Sequence, residues 1–539
     1  MRNAKFGMRN VTGSIVDATT FHRNSAFHIS HSELPLYHPP AMRTALFLLL
    51  FPASAIAQEA SPYLPLSHWA QPFIEHLIAA GRIADPSPLS RPFKVQDVVR
   101  ALDAVDSNVV TGAEWAVVKH IRSDLARRMR GPAARMDIAA ATAASSHARR
   151  DPLREAGPGH ATFSGGAGLT LYFGPVVFVS HPYFDTRLKY DPDWYGKKDR
   201  VVAGRFEEAY ISAQFTYADL FFGSLDRNWG PSAVQGLLLS DSPYGPDHLA
   251  VTIGTTGVKL EGIANQMNDL TDSTGAAVHR YMVQHRLRIR PPGRWTLALW
   301  EGSVLSGAGR QLEPWYLNIA SLGILSQVNT ATNVNSFLGF DVQRQGAVTV
   351  YAQGMLDDIQ VDKKSLADRK PTSYGLTLGA QGRVPHSAGA GAWTLFYTRV
   401  SNLAYRNEDN FQTPIYFGLG TGRNFSDYDQ TSLKLSFMPS SEVLVQPEIT
   451  FLRQGEGDLH LPHPTVSAYP STPAFLAGIV ERTVRLAARG DAGHGRWLLS
   501  ADGGVHLISN AGHVTGASKT RWVGSIQLSW RTKKEGHVP

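Results

Sequence analysis

Three arginines recur at every second position in one short segment of the chain. Arg286, Arg288 and Arg290 alternate with apolar residues, which is the period of a β-strand with its arginines on one face. A guanidinium group binds a carboxylate through two parallel hydrogen bonds, so the row could hold an acidic polysaccharide or exclude cations from a channel. The alternative is pairing inside the chain, with carboxylates such as Glu208 or Asp357.

A second group of candidate residues lies in a turn. Asp226, Arg227, Asn228 and Trp229 directly precede a Gly-Pro pair, and these two residue types mark turns rather than strand interiors. The face of a tryptophan can stack on a sugar ring, while the polar neighbours can form hydrogen bonds with its hydroxyls. These residue types predict a carbohydrate contact. The alternative is that Trp229 packs within the loop or belongs to an aromatic girdle at the membrane surface.

Asp357 and Asp358 form a pair of adjacent carboxylates and complete the set of candidate polysaccharide-binding residues. They can bind a cation or pair with arginines. A glycosidase would need two carboxyl groups placed on either side of the scissile bond, and no motif in the sequence places a second carboxylate. We therefore do not expect catalysis from this pair.

Other catalytic and metal-binding patterns are absent from the sequence. It contains no G-x-S-x-G, no H-E-x-x-H and no Walker A motif. The chain has no cysteine, which excludes a disulfide scaffold, a thiolate metal site and a cysteine nucleophile. His460 and His463 flank a Leu-Pro pair and are interpreted as loop residues. We expect a protein that is not an enzyme, with no cofactor and no metal.

The elements that must position these residues are predicted from periodicity. Between 161 and 531, apolar and polar residues alternate in segments of about ten residues, as in 443–451 and 524–530, which is typical of a transmembrane β-barrel. About 370 residues at about 20 per strand and connection predict roughly 18 antiparallel strands. A soluble β-sandwich or propeller also alternates, but strand length, the polar inner face and an aromatic end at Trp530 favour the barrel.

The N-terminal part has the pattern of an export signal. Residues 42–57 comprise a basic start, a short apolar run and an A-x-A site, which is the order of a secretory signal peptide. We interpret residues 1–41 as lying upstream of the true start of translation, Met42. The alternative is that they form a long N-terminal region of the signal peptide. The mature chain then begins near Gln58.

The remaining segments are assigned by composition and pattern. An all-α unit is predicted within 58–130, because apolar residues recur there at helical spacing and Thr111 with Glu114 fits a capping box. Residues 131–160, rich in Ala, Arg, Gly and His, are predicted to be a linker, and 532–539 a tail. The fold class is thus an all-β barrel with a small helical unit on the periplasmic side.

Three groups of short motifs follow one another in a fixed order along the chain. They are Asp226–Pro231 with Gly236–Ser240, then His285–Arg290, then Tyr351–Gln353 with Leu356–Ile359. Together with the helical N-terminus and the strand pattern, this set resembles the Wzi family of capsule-assembly outer-membrane proteins. The resemblance extends from about Pro62 to Trp530. It implies an 18-stranded barrel with periplasmic helices and a lectin role, holding newly exported polysaccharide at the cell surface.

The sequence therefore predicts a protein of the cell outer membrane that binds capsular or extracellular polysaccharide. Its expected partners are this polysaccharide, outer-membrane lipid and, as a candidate, the polysaccharide-export machinery. The formal charge of +7 over 539 residues is mild, and no nucleic-acid partner is expected. The alternative function is a porin or glycan-export channel with an arginine-lined lumen.

Overall fold

The computed structural model describes residues 59–231, 233–325, 333–385 and 390–538. Residues 1–41, the predicted signal peptide 42–57 and the predicted first mature residue, Gln58, lie outside these ranges. In the described residues no helix is both long and apolar enough to cross a membrane.

Three helices come first, as the periodicity predicts. They are α1 (Gln71–Ala79), α2 (Val95–Asp103) and α3 (Gly112–Leu125), and a short α4 (Pro314–Leu317) follows much later. The predicted capping box is present, because the Thr111 hydroxyl accepts from Glu114 N at 3.2 Å and the Glu114 carboxylate accepts from Thr111 N at 2.6 Å. Gly81, at a φ of +68°, follows the end of α1 in the left-handed region that favours glycine.

The rest of the chain consists of antiparallel strands joined by turns and loops. They are β1 (Ala133–Ser145), β2 (His160–Phe173), β3 (Val176–Asp185), β4 (Ala203–Gln214), β5 (Ala218–Ser224), β6 (Asp247–Gly254), β7 (Val258–Gln266), β8 (Leu270–Thr271), β9 (Ala277–Ile289), β10 (Trp295–Ala308), β11 (Val334–Arg344), β12 (Val348–Asp358), β13 (Ser373–Arg383), β14 (Ala390–Val400), β15 (Ile415–Tyr416), β16 (Leu419–Gly420), β17 (Tyr428–Ser440), β18 (Val443–Gln454), β19 (Glu481–His494), β20 (Trp497–Ser509) and β21 (Ser518–His537). Short 3-10 turns lie at Ala367–Arg369, Asn410–Gln412, Val466–Ser471 and Ala511–His513.

The strands close into a barrel. Within the described ranges, 19 strands share one sheet, and setting aside the two-residue β8 leaves 18 that span the wall. β1 pairs with β21 along its whole length, from Ala133 opposite His537 to Ser145 opposite Ser525. Closure leaves the sheet without an edge, as a membrane-spanning sheet requires. The predicted fold class is confirmed.

Side chains alternate between the two faces of the wall as predicted. On β20 the apolar Trp497, Leu499 and Leu507 are exposed on the outside, where a membrane would cover them. His506 of the same strand is buried in the lumen beside Arg485 of β19. This arrangement, apolar outside and polar inside, is the dyad pattern of outer-membrane barrels.

The two ends of the barrel differ. At one end, which we call the short-turn end, consecutive strands are joined by tight turns such as the two residues between β2 and β3. At the other, the long-loop end, the connections are much longer, for example between β5 and β6 or β14 and β17. The helical unit packs at the short-turn end, where Met438 and Leu444 of the wall join its apolar core and Lys94 pairs with Asp219 at 2.8 Å.

Two predicted boundaries are wrong. The segment interpreted as the linker 131–160 contains β1, so the barrel begins at Ala133 rather than 161, and β21 continues through most of the predicted tail 532–539. The physical reason for the first error is the composition of β1. Alanine fills many positions on both faces of this strand, so polar and apolar residues alternate only weakly although the strand is fully paired.

Candidate functional site

Two segments enter the lumen and meet there. The strap, residues 85–91, extends from the helical unit between α1 and α2, and the plug loop, residues 225–246, folds inward between β5 and β6. Their backbones pair, with Arg91 N donating to Asn228 O at 2.9 Å and Asn228 N donating to Arg91 O at 3.0 Å. The lumen is therefore filled from both ends of the barrel.

The plug loop is anchored by apolar side chains. Leu237 and Leu238 are fully buried and belong to a cluster with lumen-facing residues of strands from β2 to β18. Leu238 packs against Gly302 of β10, and Leu237 packs against Gly375 of β13. The Tyr405 hydroxyl also donates to Leu237 O at 2.6 Å. These contacts hold the loop across the lumen.

The arginine row on β9 faces the lumen, as alternation predicts, and two of its members are paired inside the chain. Arg286 Nη2 lies 2.7 Å from Asp341 Oδ2, with neither side chain exposed, and Arg288 Nη2 lies 3.1 Å from Glu261 Oε1. Arg286 Nη1 also donates to Ser90 Oγ of the strap at 2.9 Å. The row thus neutralises wall carboxylates and ties the strap to the wall.

The predicted pairing partners of this row are wrong. The carboxylates beside it are Asp341 and Glu261, not Glu208 or Asp357. Strand order explains the difference, because β7 places Glu261 directly opposite Arg286, whereas β4 with Glu208 is further round the wall. Arg290, half-buried just after β9, has no ion-pair partner among the described residues.

Asp226 and Arg227 line a small cavity at the start of the plug loop. Its volume is about 30 Å³, enough for a water molecule but far below the roughly 300 Å³ or more of a ligand pocket. Arg227 Nε donates to His248 Nε2 at 2.7 Å, and the guanidinium lies 4.4 Å from the centroid of Phe221. Burial raises the pKa of Asp226 to about 6.

Asn228 and Trp229 are packed within the plug loop. Asn228 Nδ2 donates to the carbonyl oxygens of Pro231 and Val234, each at 3.2 Å. Trp229 is only 5% exposed, and the Arg286 guanidinium lies 5.1 Å from its ring centroid. The turn and the arginine row therefore meet in the lumen. Their role in carbohydrate contact stays a prediction.

Asp357 and Asp358 lie apart from that group, at the long-loop end of β12. Asp357 Oδ2 accepts a hydrogen bond from Tyr405 N at 2.7 Å, and Asp358 forms an ion pair with Lys370. Both carboxylates stabilise neighbouring loops. Whether either also contacts a glycan stays a prediction.

A larger cleft, which sequence reasoning missed, opens at the long-loop end. We call it the mouth cleft. Its volume is about 780 Å³, and β18 to β21 contribute to its wall together with the loop between β1 and β2. Its polar lining includes Arg154, Glu155, Ser426, Gln454, Lys519 and Arg521. The volume is that of a ligand site.

Several polar groups of the mouth cleft lack partners within the part of the chain that the structure describes. Arg154 Nε and Nη2, Ser426 Oγ and Gln454 Oε1 are buried there without a hydrogen bond. Next to them, the Arg154 guanidinium lies 4.1 Å from the centroid of Phe425. Buried polar groups normally have a partner, and a ligand that both donates and accepts could supply it. Sugar hydroxyls do both.

The carboxylate of Glu155 organises one side of this cleft. Its Oε1 lies 2.5 Å from Nη1 of Arg521, and its Oε2 lies 3.3 Å from Nδ1 of His506. Burial alone would raise the pKa of Glu155, but Arg521 and His506 outweigh burial and lower it to about 2.

We expect the contribution of Glu155 to stability to depend on pH. Because its folded pKa lies below the unfolded value of about 4.3, the contribution is present above that value and is lost as the pH falls towards 2. Glu155→Gln should lower stability by about 1–2 kcal/mol at pH 7, and the difference from wild type should vanish near pH 2. Thermal melting in detergent micelles across this range checks this, with the exposed Glu442→Gln as a control that should change little. An equal difference at pH 7 and pH 2 would contradict it.

Comparison with known proteins supports the fold. No family model matches the sequence, and no curated protein matches it. Wzi of Escherichia coli, described as an outer membrane protein involved in group 1 capsule assembly and a carbohydrate-binding β-barrel, is similar over 86% of this chain and 98% of its own, with 14% identity and a TM-score of 0.57.

Two further barrels are similar at lower scores. OprD of Pseudomonas aeruginosa covers 75% of this chain and 95% of its own, with 8% identity and a TM-score of 0.41. OpdK of the same organism is similar over 75% of this chain and 100% of its own, with 11% identity and a TM-score of 0.42. At these identities the likeness concerns the fold alone. The protein is an outer-membrane β-barrel of 18 antiparallel strands preceded by a few helices, and the predicted location is confirmed.

Proposed function

We propose that this protein binds capsular or extracellular polysaccharide at the cell surface and attaches or organises it there. In this proposal the long-loop end faces outward and the helical unit lies in the periplasm, since outer-membrane barrels carry short periplasmic turns and longer extracellular loops. It is a binding protein of the lectin type, not an enzyme.

The observation that carries the proposal is the contrast between the lumen and the mouth. The lumen is crossed by the strap and the plug loop, and two of its three row arginines are occupied by Asp341 and Glu261. A porin would need a continuous aqueous channel. The mouth cleft, in contrast, has a volume of about 780 Å³ and contains buried polar atoms that form no hydrogen bond with any described residue.

The resemblance to the Wzi family supports the same function. Escherichia coli Wzi is described as a carbohydrate-binding barrel involved in capsule assembly, and this chain has the same architecture. We extend that role to this protein, with the polysaccharide-export machinery as a candidate partner on the periplasmic side. The polar residues of the mouth cleft are the proposed contacts, and the turn at Asp226–Trp229 is proposed to support the plug loop.

Deleting the gene tests this function. We expect cells without the protein to synthesise their polysaccharide but to release more of it into the medium, so that the surface layer seen by microscopy becomes thin or is lost. Reintroducing the wild-type gene should restore the layer. The measurement is the ratio of cell-bound to released polysaccharide, together with microscopy of the layer.

The alternative, a porin or glycan-export channel, predicts a different outcome. Loss of a porin would leave the surface layer intact and slow the uptake of small solutes. Loss of an export channel would leave polysaccharide inside the cell rather than in the medium. Either result would contradict surface attachment.

A further inference from the structure

A tight turn at the mouth has an unusual residue at its first position. β15 and β16 pair with Tyr416 opposite Leu419, so Phe417 and Gly418 form a two-residue turn with φ values of +48° and +86°. These angles are those of a type I′ turn, whose first position strongly favours Asn, Asp or Gly. A phenylalanine there is strained, and strain retained at an exposed position points to function.

The ring of Phe417 does not turn inward. It stacks on Tyr195 of the loop between β3 and β4, with ring centroids 4.2 Å apart and an interplanar angle of 12°. Both side chains remain exposed, at 41% for Phe417 and 46% for Tyr195. Part of each ring in this pair, which we call the aromatic platform, therefore remains in contact with solvent.

The aromatic platform is held by groups from loops and strands in well-separated parts of the barrel. Phe417 N donates to Asn268 Oδ1 at 2.7 Å, and His460 Nε2 lies 2.7 Å from Gly418 O. Arg280 of β9 donates to three carbonyl oxygens of the same connection, residues 401–427. Since β9 and β14 are not neighbours, this connection reaches over the mouth, and the platform lies away from the lipid-facing girdle.

We propose that Phe417 and Tyr195 form a stacking surface for the pyranose rings of the bound polysaccharide, an inference that rests on the proposed function. A flat aromatic face in water, at the mouth rather than at the lipid boundary, matches the apolar face of a sugar ring. The long-loop end then offers two kinds of contact to one chain: stacking at the platform and hydrogen bonding in the mouth cleft.

The turn chemistry makes the test selective. Phe417→Asn places the favoured Asn-Gly pair in the turn, so the melting temperature should equal or exceed that of wild type. Binding of extracellular polysaccharide extracted from the producing cells should weaken by about two- to tenfold, the equivalent of one stacking contact. The measurements are thermal melting and equilibrium binding with purified protein in detergent micelles.

Three further variants complete the experiment. Tyr195→Ala should also weaken binding, and it does not depend on the turn. Phe417→Tyr should bind as tightly as wild type, because it keeps an aromatic ring at this position. Tyr217→Ala, which removes an exposed aromatic at the short-turn end, should leave binding unchanged.

The outcomes separate the two proposals. If wild type binds and both Phe417→Asn and Tyr195→Ala bind equally well, the platform is not the contact, while the proposed function stands. If Phe417→Asn lowers the melting temperature, the binding of Tyr195→Ala decides the question, because this variant does not alter the turn. Unchanged binding in Tyr195→Ala then also excludes the platform. If wild-type protein does not bind the polysaccharide at all, the proposed function fails and this inference fails with it.

Discussion

Replacing Arg286 with methionine should cost about 3–5 kcal/mol of unfolding free energy, because it leaves a buried carboxylate without its counter-charge. The guanidinium lies 2.7 Å from Asp341, and both side chains have no exposed surface. It also donates to Leu89 O of the strap at 3.1 Å. Denaturant unfolding of the purified barrel in lipid vesicles measures the loss.

Two controls show whether the cost comes from the unpaired charge. Arg286→Met combined with Asp341→Asn should recover most of the stability, since removing both charges of a buried pair is often nearly neutral. Arg100→Met breaks an ion pair with Asp97 on the exposed surface of α2 and should cost no more than about 1 kcal/mol. Wild-type stability in Arg286→Met would contradict a structural role for the row.

Removing the centre of the plug loop should open the barrel to ions. Replacing residues 233–239 with two glycines removes Leu237 and Leu238, which pack against β13 and β10. The chain before and after this segment comes close together, because Trp229 N, four residues before it, donates to the carbonyl oxygen of its last residue, Leu239, at 3.0 Å. Barrels of 16–18 strands without a plug hold an aqueous channel, so stepwise currents should appear in planar bilayers where the wild type shows none.

A matched replacement controls for shortening a loop. Residues 361–367, between β12 and β13, are exposed. Replacing these seven residues with two glycines should produce no currents in planar bilayers, as with the wild-type protein. Porin-like currents from the wild-type protein would contradict a filled lumen and favour the channel alternative. If the variant with residues 233–239 replaced also shows no currents, the strap alone is enough to block the pore.

Much of the fold could be predicted from the sequence because it depends on local pattern. Alternation at period two predicts strands with one apolar and one polar face, and ten-residue segments of this kind in an exported chain predict a membrane barrel. The capping box at Thr111 and Glu114 and the end of α1 near Gly81 are equally local. Where local contrast was weak, as in the alanine-rich β1, the prediction failed.

The direction of the arginine row was also predictable, but its partners were not. Alternation places Arg286 and Arg288 on the lumen face whatever the rest of the chain does. Their partners depend on which strands lie beside β9 around the ring, and Glu261 is opposite Arg286 only because β7 pairs with β9. Asp341 is 55 residues away along the chain, a separation that no local pattern reports.

The sequence by itself therefore determined the barrel, its helical unit and the side of the wall on which each strand residue lies, because these follow from periodicity over a few residues. Only the tertiary structure decided that the strap and plug loop fill the lumen, and that Trp229 is buried while Phe417 and Tyr195 are exposed at the mouth. The physical reason is that the interior of a closed barrel brings together side chains from strands and loops far apart in the chain, and their burial depends on how the loops fold into it.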